Sequence, residues 1–209
     1  MIRCLNQQYR SGLHFMATGL RDQLHITASA FMILILLGFA YGTLFPQQTD
    51  AYIIHMTQQI QNSGIVSEDG ALDVVDLFLQ NAQALSMTLL YGFLPFLHLP
   101  ALPLGINATL LGLMAAYYIN NGISLVVYLA AIVPHGIVEL PVMILCFSLA
   151  LYLCRYNKGQ MRATPDQAKQ FSRVIKEVFR VHLLFVIPLL SLSAIAECYI
   201  TPVVMGLFI

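Results

Sequence analysis

The sequence predicts an all-α fold, a polytopic integral membrane helical bundle, and three observations carry that prediction. Of 209 residues, 58% are hydrophobic and only 10% charged, with a mean hydropathy of +0.76, which is outside the range of soluble chains. Apolar blocks recur at 28–45, 82–97, 104–120, 124–134, 137–154 and 181–200, and a membrane helix needs roughly 20 such residues. The polar segments between them differ sharply in charge. Segment 1–27 holds Arg3, Arg10 and Arg21 against Asp22, and segment 46–80 holds Asp50, Glu68, Asp69, Asp73 and Asp76 with no Lys or Arg. Segment 155–180 carries Arg155, Lys158, Arg162, Lys169, Arg173, Lys176 and Arg180 against Asp166 and Glu177.

The same numbers set other classes aside. Ten basic and ten acidic residues leave no net charge to attract nucleic acid. The chain has no room for a large soluble enzymatic domain, and it contains no glycine-rich phosphate loop and no nucleophile elbow. Cys4, Cys146, Cys154 and Cys198 show no paired spacing and read as small buried hydrophobes rather than as a redox or zinc site.

Taken in order, residues 1–27 form a cytoplasmic amphipathic segment, with Ile2, Leu5, Tyr9, Leu13, Met16 and Leu20 in one stripe. The membrane domain is then a single unit, 28–209. Its first apolar run starts at Ala28, after a long polar stretch with no cleavage site behind it, and is expected to stay as an anchor. The positive-inside rule places 1–27 and 155–180 in the cytoplasm and 46–80 outside. Within 46–80, apolar residues at Tyr52, Ile53, Met56 and Ile60, a Ser67–Gly70 turn, and Leu72, Val75, Phe78 and Leu79 predict two short helices forming an outer cap.

Between the outer cap and the inner basic segment the chain must cross an odd number of times, yet four apolar blocks intervene. The shortest, 124–134, would span about 16 Å as a helix. It is expected as a re-entrant or interfacial half-helix, which gives about five crossings and an outer C-terminus. In 155–180, Thr164-Pro165-Asp166-Gln167 supplies an N-cap, a first-turn proline and a capping-box glutamine. Lys169, Arg173, Lys176 and Arg180 share one face and Phe171, Val174, Ile175 and Val178 the other. Such a helix lies on the inner leaflet or against a partner, the basic four making the lipid or partner contact, or else packs on its own bundle.

Only Glu139 and Glu197 are acidic inside apolar blocks, where a carboxylate costs at least a few kcal/mol. His135 stands four residues before Glu139, within reach on one helical face. Pro134, Pro141, Pro188 and Pro202 are helix-breaking positions near these residues, Pro188 being expected to kink the last span. Of the remaining histidines, His98 is expected in an inner loop, His182 at the membrane interface, and His14, His25 and His55 in polar segments.

Pro134-His135-Gly136-Ile137-Val138-Glu139-Leu140-Pro141 resembles the PHG-x-x-E signature of the stage II sporulation protein M family. Ala194-Ile195-Ala196-Glu197-Cys198-Tyr199-Ile200-Thr201-Pro202 resembles that family's closing pattern of small residues, Glu, an aromatic and Thr-Pro. Asn81 and Asn107, the latter with Gly112, are weaker matches, and the resemblance covers roughly 75–205. It implies a bacterial cytoplasmic-membrane protein with several spans, akin to a scaffold for peptidoglycan-remodelling enzymes. It also implies an intramembrane polar site of His135, Gly136, Glu139, Glu197, Asn81, Asn107 and Thr201.

Three chemistries suit those residues: a structural polar knot that fixes helix register, a proton, ion or substrate site on a broken helix, or a catalytic or metal site. The last has one histidine in place and no HExxH pattern, so no metal, no cofactor and no catalysis are expected. The expectation is therefore a non-enzymatic scaffold or subunit whose partners are membrane lipids, other envelope or membrane proteins and further copies of itself. The alternative is a permease-like subunit paired with a cytoplasmic ATPase. A scaffold predicts no continuous polar path across the bundle, and a transporter predicts one.

Overall fold

A computed structural model describes residues 2–62, 73–94, 98–158 and 165–208. Among them the chain is helical throughout, in the order α1 (Ile2–Thr18), α2 (Arg21–Leu44), α3 (Pro46–Asn62), α4 (Val74–Tyr91), α5 (Ala101–Asn120), α6 (Leu125–Lys158) and α7 (Pro165–Val181). The last helix continues without a break through a π-helical turn (His182–Val186), α8 (Ile187–Ile195), a second π turn (Ala196–Ile200) and α9 (Thr201–Met205). Four helical stretches, Arg21–Leu44, Ala101–Asn120, Leu125–Asn157 and Lys169–Met205, are long and apolar enough to cross a membrane. Their outer faces carry large exposed side chains, among them Leu36, Leu37, Ile137, Leu183 and Val203, as lipid contact demands.

α6 is the central helix. It packs against α2, α4, α5 and the α7–α9 stretch, and half of its apolar window is buried, against 17% for α2. Phe147, Leu149 and Leu153 on α6 meet Phe31 of α2, Leu89 of α4, and Val178, Val181 and Leu190 of the last helix in one core. At 34 residues α6 is about 51 Å long. Tyr128, ringed by Tyr118, and Tyr152, ringed by Phe15 and Tyr156, are 24 residues apart along it, hence about 36 Å, the spacing of two aromatic belts across a bilayer.

Hydrogen bonds between elements fix the direction of each helix. Asn120 on α5 donates to the carbonyl of Gly42 at the far end of α2 (2.9 Å), and Asn121 reaches Asp50 of α3 (3.1 Å). At the opposite end, Arg155 donates to Gln23 (3.0 Å) and Asn157 to the Phe93 carbonyl (2.5 Å). Thus α2, α5 and the last helix run one way, and α4 and α6 the other. Basic residues gather at the Gln23–Arg155 end and Asp50 lies at the other.

The tightest packing joins α2 and α5. Gly38 and Gly42 on α2 face Ala108, Gly112 and Ala116 on α5, two small-residue stripes at four-residue spacing that let the backbones touch. A Cβ on Gly112 would overlap the carbonyl oxygen of Ile35, and one on Gly38 that of Thr109.

Several expectations are corrected here. The block 124–134 is not a separate half-helix: Leu125 opens α6, and both Pro134 and Pro141 lie inside it. The helix absorbs the two prolines because its neighbours hold it along its length. The four apolar blocks become three helices, of which α5 and α6, but not α4, are among the stretches long and apolar enough to cross a membrane. The second outer helix is likewise no separate element. Residues 74–80 are the first turns of α4, which Asp73 caps by accepting from the amides of Val75 (2.8 Å) and Asp76 (2.9 Å). The Ser67–Gly70 turn, the Thr164 cap and the Asp166 and Gln167 side chains lie outside the described residues.

Pro188 and Pro202 each stand just beyond a π turn. Four residues back from each, Leu184 and Cys198 fall inside those turns, whose wider bore relieves the clash of a proline ring with the preceding carbonyl. Each of these prolines follows a π turn that carries one extra residue.

Candidate intramembrane polar site

The last helix brings Ser193, Glu197 and Thr201, each four residues after the previous one, onto the face that meets α6 at His135 and Glu139. Ser193 Oγ donates to Glu139 Oε2 (3.1 Å) and also lies 3.4 Å from the His135 carbonyl oxygen. Thr201 Oγ1 is 3.1 Å from His135 Nδ1, and donates in turn to the carbonyl of Ala196 (3.3 Å). A threonine hydroxyl that donates to Ala196 accepts from the imidazole, and His135 is then the Nδ1–H tautomer with a lone pair on Nε2.

Glu197 sits between these two contacts. A ring nitrogen of His135 and one carboxylate oxygen each from Glu139 and Glu197 all lie within 4.8 Å of one another, on three half-buried residues. The site expected without a metal thus brings one imidazole and two carboxylates together at a point. Gly136 is buried beside them, but a Cβ there would meet only the side chains of Ile132 and Leu140. Nothing in the structure explains a glycine at 136.

Asn81 and Asn107 do not touch this trio directly. Together with Glu139 they line a partly open cavity of about 280 Å³ between α4, α5, α6 and α8, whose walls include Thr88, Met143, Phe147 and Leu190. Asn107 spends its amide on its own helix, donating to the Pro103 carbonyl at 2.8 Å. Glu139 is thus the hinge of the arrangement, with the His135–Glu197 cluster on one side and the asparagine-lined cavity on the other.

Reading by residue type alone misses Ser193. Ser193 has a sequence signal, its four-residue offset from Glu197. His182 is buried among the helices, with Nε2 3.1 Å from Ser86 Oγ and Nδ1 3.9 Å from Cys146 Sγ. The helix runs unbroken from α7 through this residue. Arg180 is relocated. It donates to Gln8 (2.6 Å) and Ser11 (2.9 Å) of α1 and pairs with Glu177, so it clamps α7 to α1. Lys169, Arg173 and Lys176, on the same side of α7 as Arg180, are exposed, while Val174 and Val178 are buried in the bundle. The apolar side of α7 packs on its own protein, not into a leaflet. His98 does lie in the α4–α5 connection, with φ of 42°.

The family model for stage II sporulation protein M matches residues 28–202, which takes in the first span and α3 as well as both motifs. No curated protein matches the chain. No solved structure matches it either. With so much of its length covered, the chain belongs to the stage II sporulation protein M family and is a membrane-embedded helical protein.

Proposed function

We propose that this member of the stage II sporulation protein M family is a non-enzymatic bacterial cytoplasmic-membrane component that holds other envelope or membrane proteins in a complex. One observation supports the scaffold reading over a permease above all. Between the Glu139 cavity and the Gln23–Arg155 end, fully buried apolar side chains, Phe31, Leu89, Phe147, Leu149 and Leu153 from three helices, surround the buried Thr27, Thr88, Ser148 and the His182–Ser86–Cys146 cluster. Close apolar packing around these polar groups disfavours a continuous water-filled path.

In this reading the chain crosses five times, α4 being the fifth span at 18 residues, or about 27 Å. The basic end, with α1 and α7, faces the cytoplasm, and α3 and the C-terminus face outward. The exposed stripe of Lys169, Arg173 and Lys176 is then presented to anionic headgroups or an acidic partner. His135, Glu139, Ser193 and Thr201 serve first to lock α6 to the last helix, which is the structural knot.

The test is paired. The full chain, gently extracted from native membranes and cross-linked, should bring down the same envelope proteins reproducibly, and lose them when Lys169, Arg173 and Lys176 become Gln. Reconstituted alone into vesicles, it should not dissipate a proton or ion gradient. Gradient dissipation that disappears in Glu139→Gln would replace the scaffold with the permease reading.

A further inference from the structure

We propose that His135, Glu139 and Glu197 bind a single divalent transition-metal cation, of which zinc is the probe of choice. The proposal goes beyond the scaffold reading and does not depend on it.

Charge accounting is the first argument. All ten Lys and Arg of the chain fall at positions 3–21 or 155–180. Every one that the structure describes belongs to α1, the start of α2, the end of α6 or α7, remote along the helices from Thr201 and His135. Glu139 and Glu197 therefore face each other with no Lys or Arg side chain among the described residues to balance them. Two ionised carboxylates within 4.8 Å repel strongly in a low-dielectric interior. Glu139 has Ser193 as donor, but no hydrogen-bond donor among the described residues reaches the Glu197 carboxylate.

Donor chemistry is the second. One imidazole nitrogen and two carboxylate oxygens form a borderline N/O set that suits zinc and its neighbours better than calcium or magnesium, which prefer oxygen alone. Three protein ligands with a further position open is a common zinc arrangement. Bonds of about 2.0–2.2 Å place ligand atoms roughly 3–4 Å apart, so the observed spread needs only slight closing. Thr201 holds the imidazole at Nδ1, as an outer-shell partner does at metal sites, and the ligand bond in this proposal then falls to Nε2. The two helices supply ligands at i and i+4 on α6 and one from a π turn, a local geometry often found where a helix builds a site.

The experiment uses the full chain without a polyhistidine tag, purified in detergent, stripped of metal, and dialysed against zinc. Bound metal is measured by elemental analysis, and cobalt is added in parallel to read ligand geometry from its visible absorption. About one zinc per chain is expected, with a melting temperature that rises with zinc concentration. Glu139→Gln and Glu197→Gln should each lose zinc at that concentration while keeping helical content and monodispersity. His55→Asn, on an exposed histidine of α3, should bind as the parent does. Thr201→Val should weaken zinc roughly 10- to 100-fold without removing a ligand, which keeps the test open should a glutamate variant fail to fold. A parent chain that takes up no zinc, or glutamine variants that bind it unchanged, would overturn the site and leave a proton as the neutralising charge. Because metal content is read on the isolated chain, its failure is distinct from any failure to recover partner proteins.

Discussion

Thr201 Oγ1 stands 3.1 Å from His135 Nδ1, joining the last helix to the central one across 66 residues of sequence. The same pair of helices is joined one turn away by Ser193 and Glu139. Hydrogen bonds between helices in membranes contribute about 0.6 kcal/mol on average, whereas a buried donor stranded without an acceptor costs about 1–3 kcal/mol. Thr201→Val removes the acceptor and strands the imidazole N–H, so a loss of about 1–2 kcal/mol is expected, with Thr201→Ser near neutral. Equilibrium unfolding in mixed micelles measures both. Equal stability of Val and Ser variants would mean that water replaces the contact.

Glu139 distinguishes hydrogen bonding from charge. Glu139→Gln keeps a carbonyl to accept from Ser193, and Glu139→Leu leaves the Ser193 hydroxyl with only the 3.4 Å contact to the His135 carbonyl. Leu should therefore be the less stable by about 1–2 kcal/mol. The comparison is made on purified protein by thermal unfolding, and a Leu variant as stable as Gln would show that the serine bond contributes nothing.

Gly112 sets the distance between α2 and α5. A methyl group there meets the Ile35 backbone, which cannot rotate aside as a side chain can. Gly112→Ala should cost toward the upper end of the 1–3 kcal/mol typical of overpacking, and Gly112→Leu should yield little folded protein. Gly105, with open space where its Cβ would be, is the control, and Gly105→Ala should leave yield and melting temperature nearly unchanged.

Which parts of this were legible in the sequence follows from how each signal is encoded. Hydropathy marks a span wherever apolar residues are continuous, so α2, α5 and the last helix were recognisable. It failed at 124–140, because Pro134, His135, Gly136 and Glu139 interrupt the apolar run and look like a boundary. Tertiary contacts carry α6 straight through them. The site residues were visible because a carboxylate among apolar residues is conspicuous, and their convergence was an inference from cost. Ser193 and the buried His182–Ser86–Cys146 cluster were not visible, since hydroxyls and a lone histidine are tolerated at many membrane depths. The Gly38–Gly42 and Ala108–Gly112–Ala116 stripes are legible in principle, four-residue spacing of small residues being a packing signal, but the spacing does not say which two helices it joins.

Topology is open to chemical labelling. In a background without other cysteines, Thr57→Cys on α3 and Lys176→Cys on α7 are both exposed positions. An impermeant thiol reagent applied to intact cells should modify the first and not the second. Modification of both from one side would mean that an even number of crossings separates them, and α4 would not be a span.

The basic residues of α7 should separate into two classes. Arg180 is held by Gln8, Ser11 and Glu177 at the seam with α1, whereas Lys169, Arg173 and Lys176 point away from the core. Charge-assisted hydrogen bonds contribute about 1.5–3 kcal/mol each before solvent exposure is counted. Arg180 is only partly covered, so Arg180→Gln should cost less than their sum, about 1–2 kcal/mol. It should also expose α1 to protease. The triple Gln variant at 169, 173 and 176 should leave stability and proteolysis unchanged, because its side chains contribute no core packing. Its binding to vesicles rich in anionic lipid should instead fall by up to about 1 kcal/mol per residue, an effect that added salt erases in the parent chain. Reversed results, with Arg180→Gln affecting lipid alone and the triple variant freeing α1, would mean that the two classes of basic residue on α7 have been assigned the wrong way round.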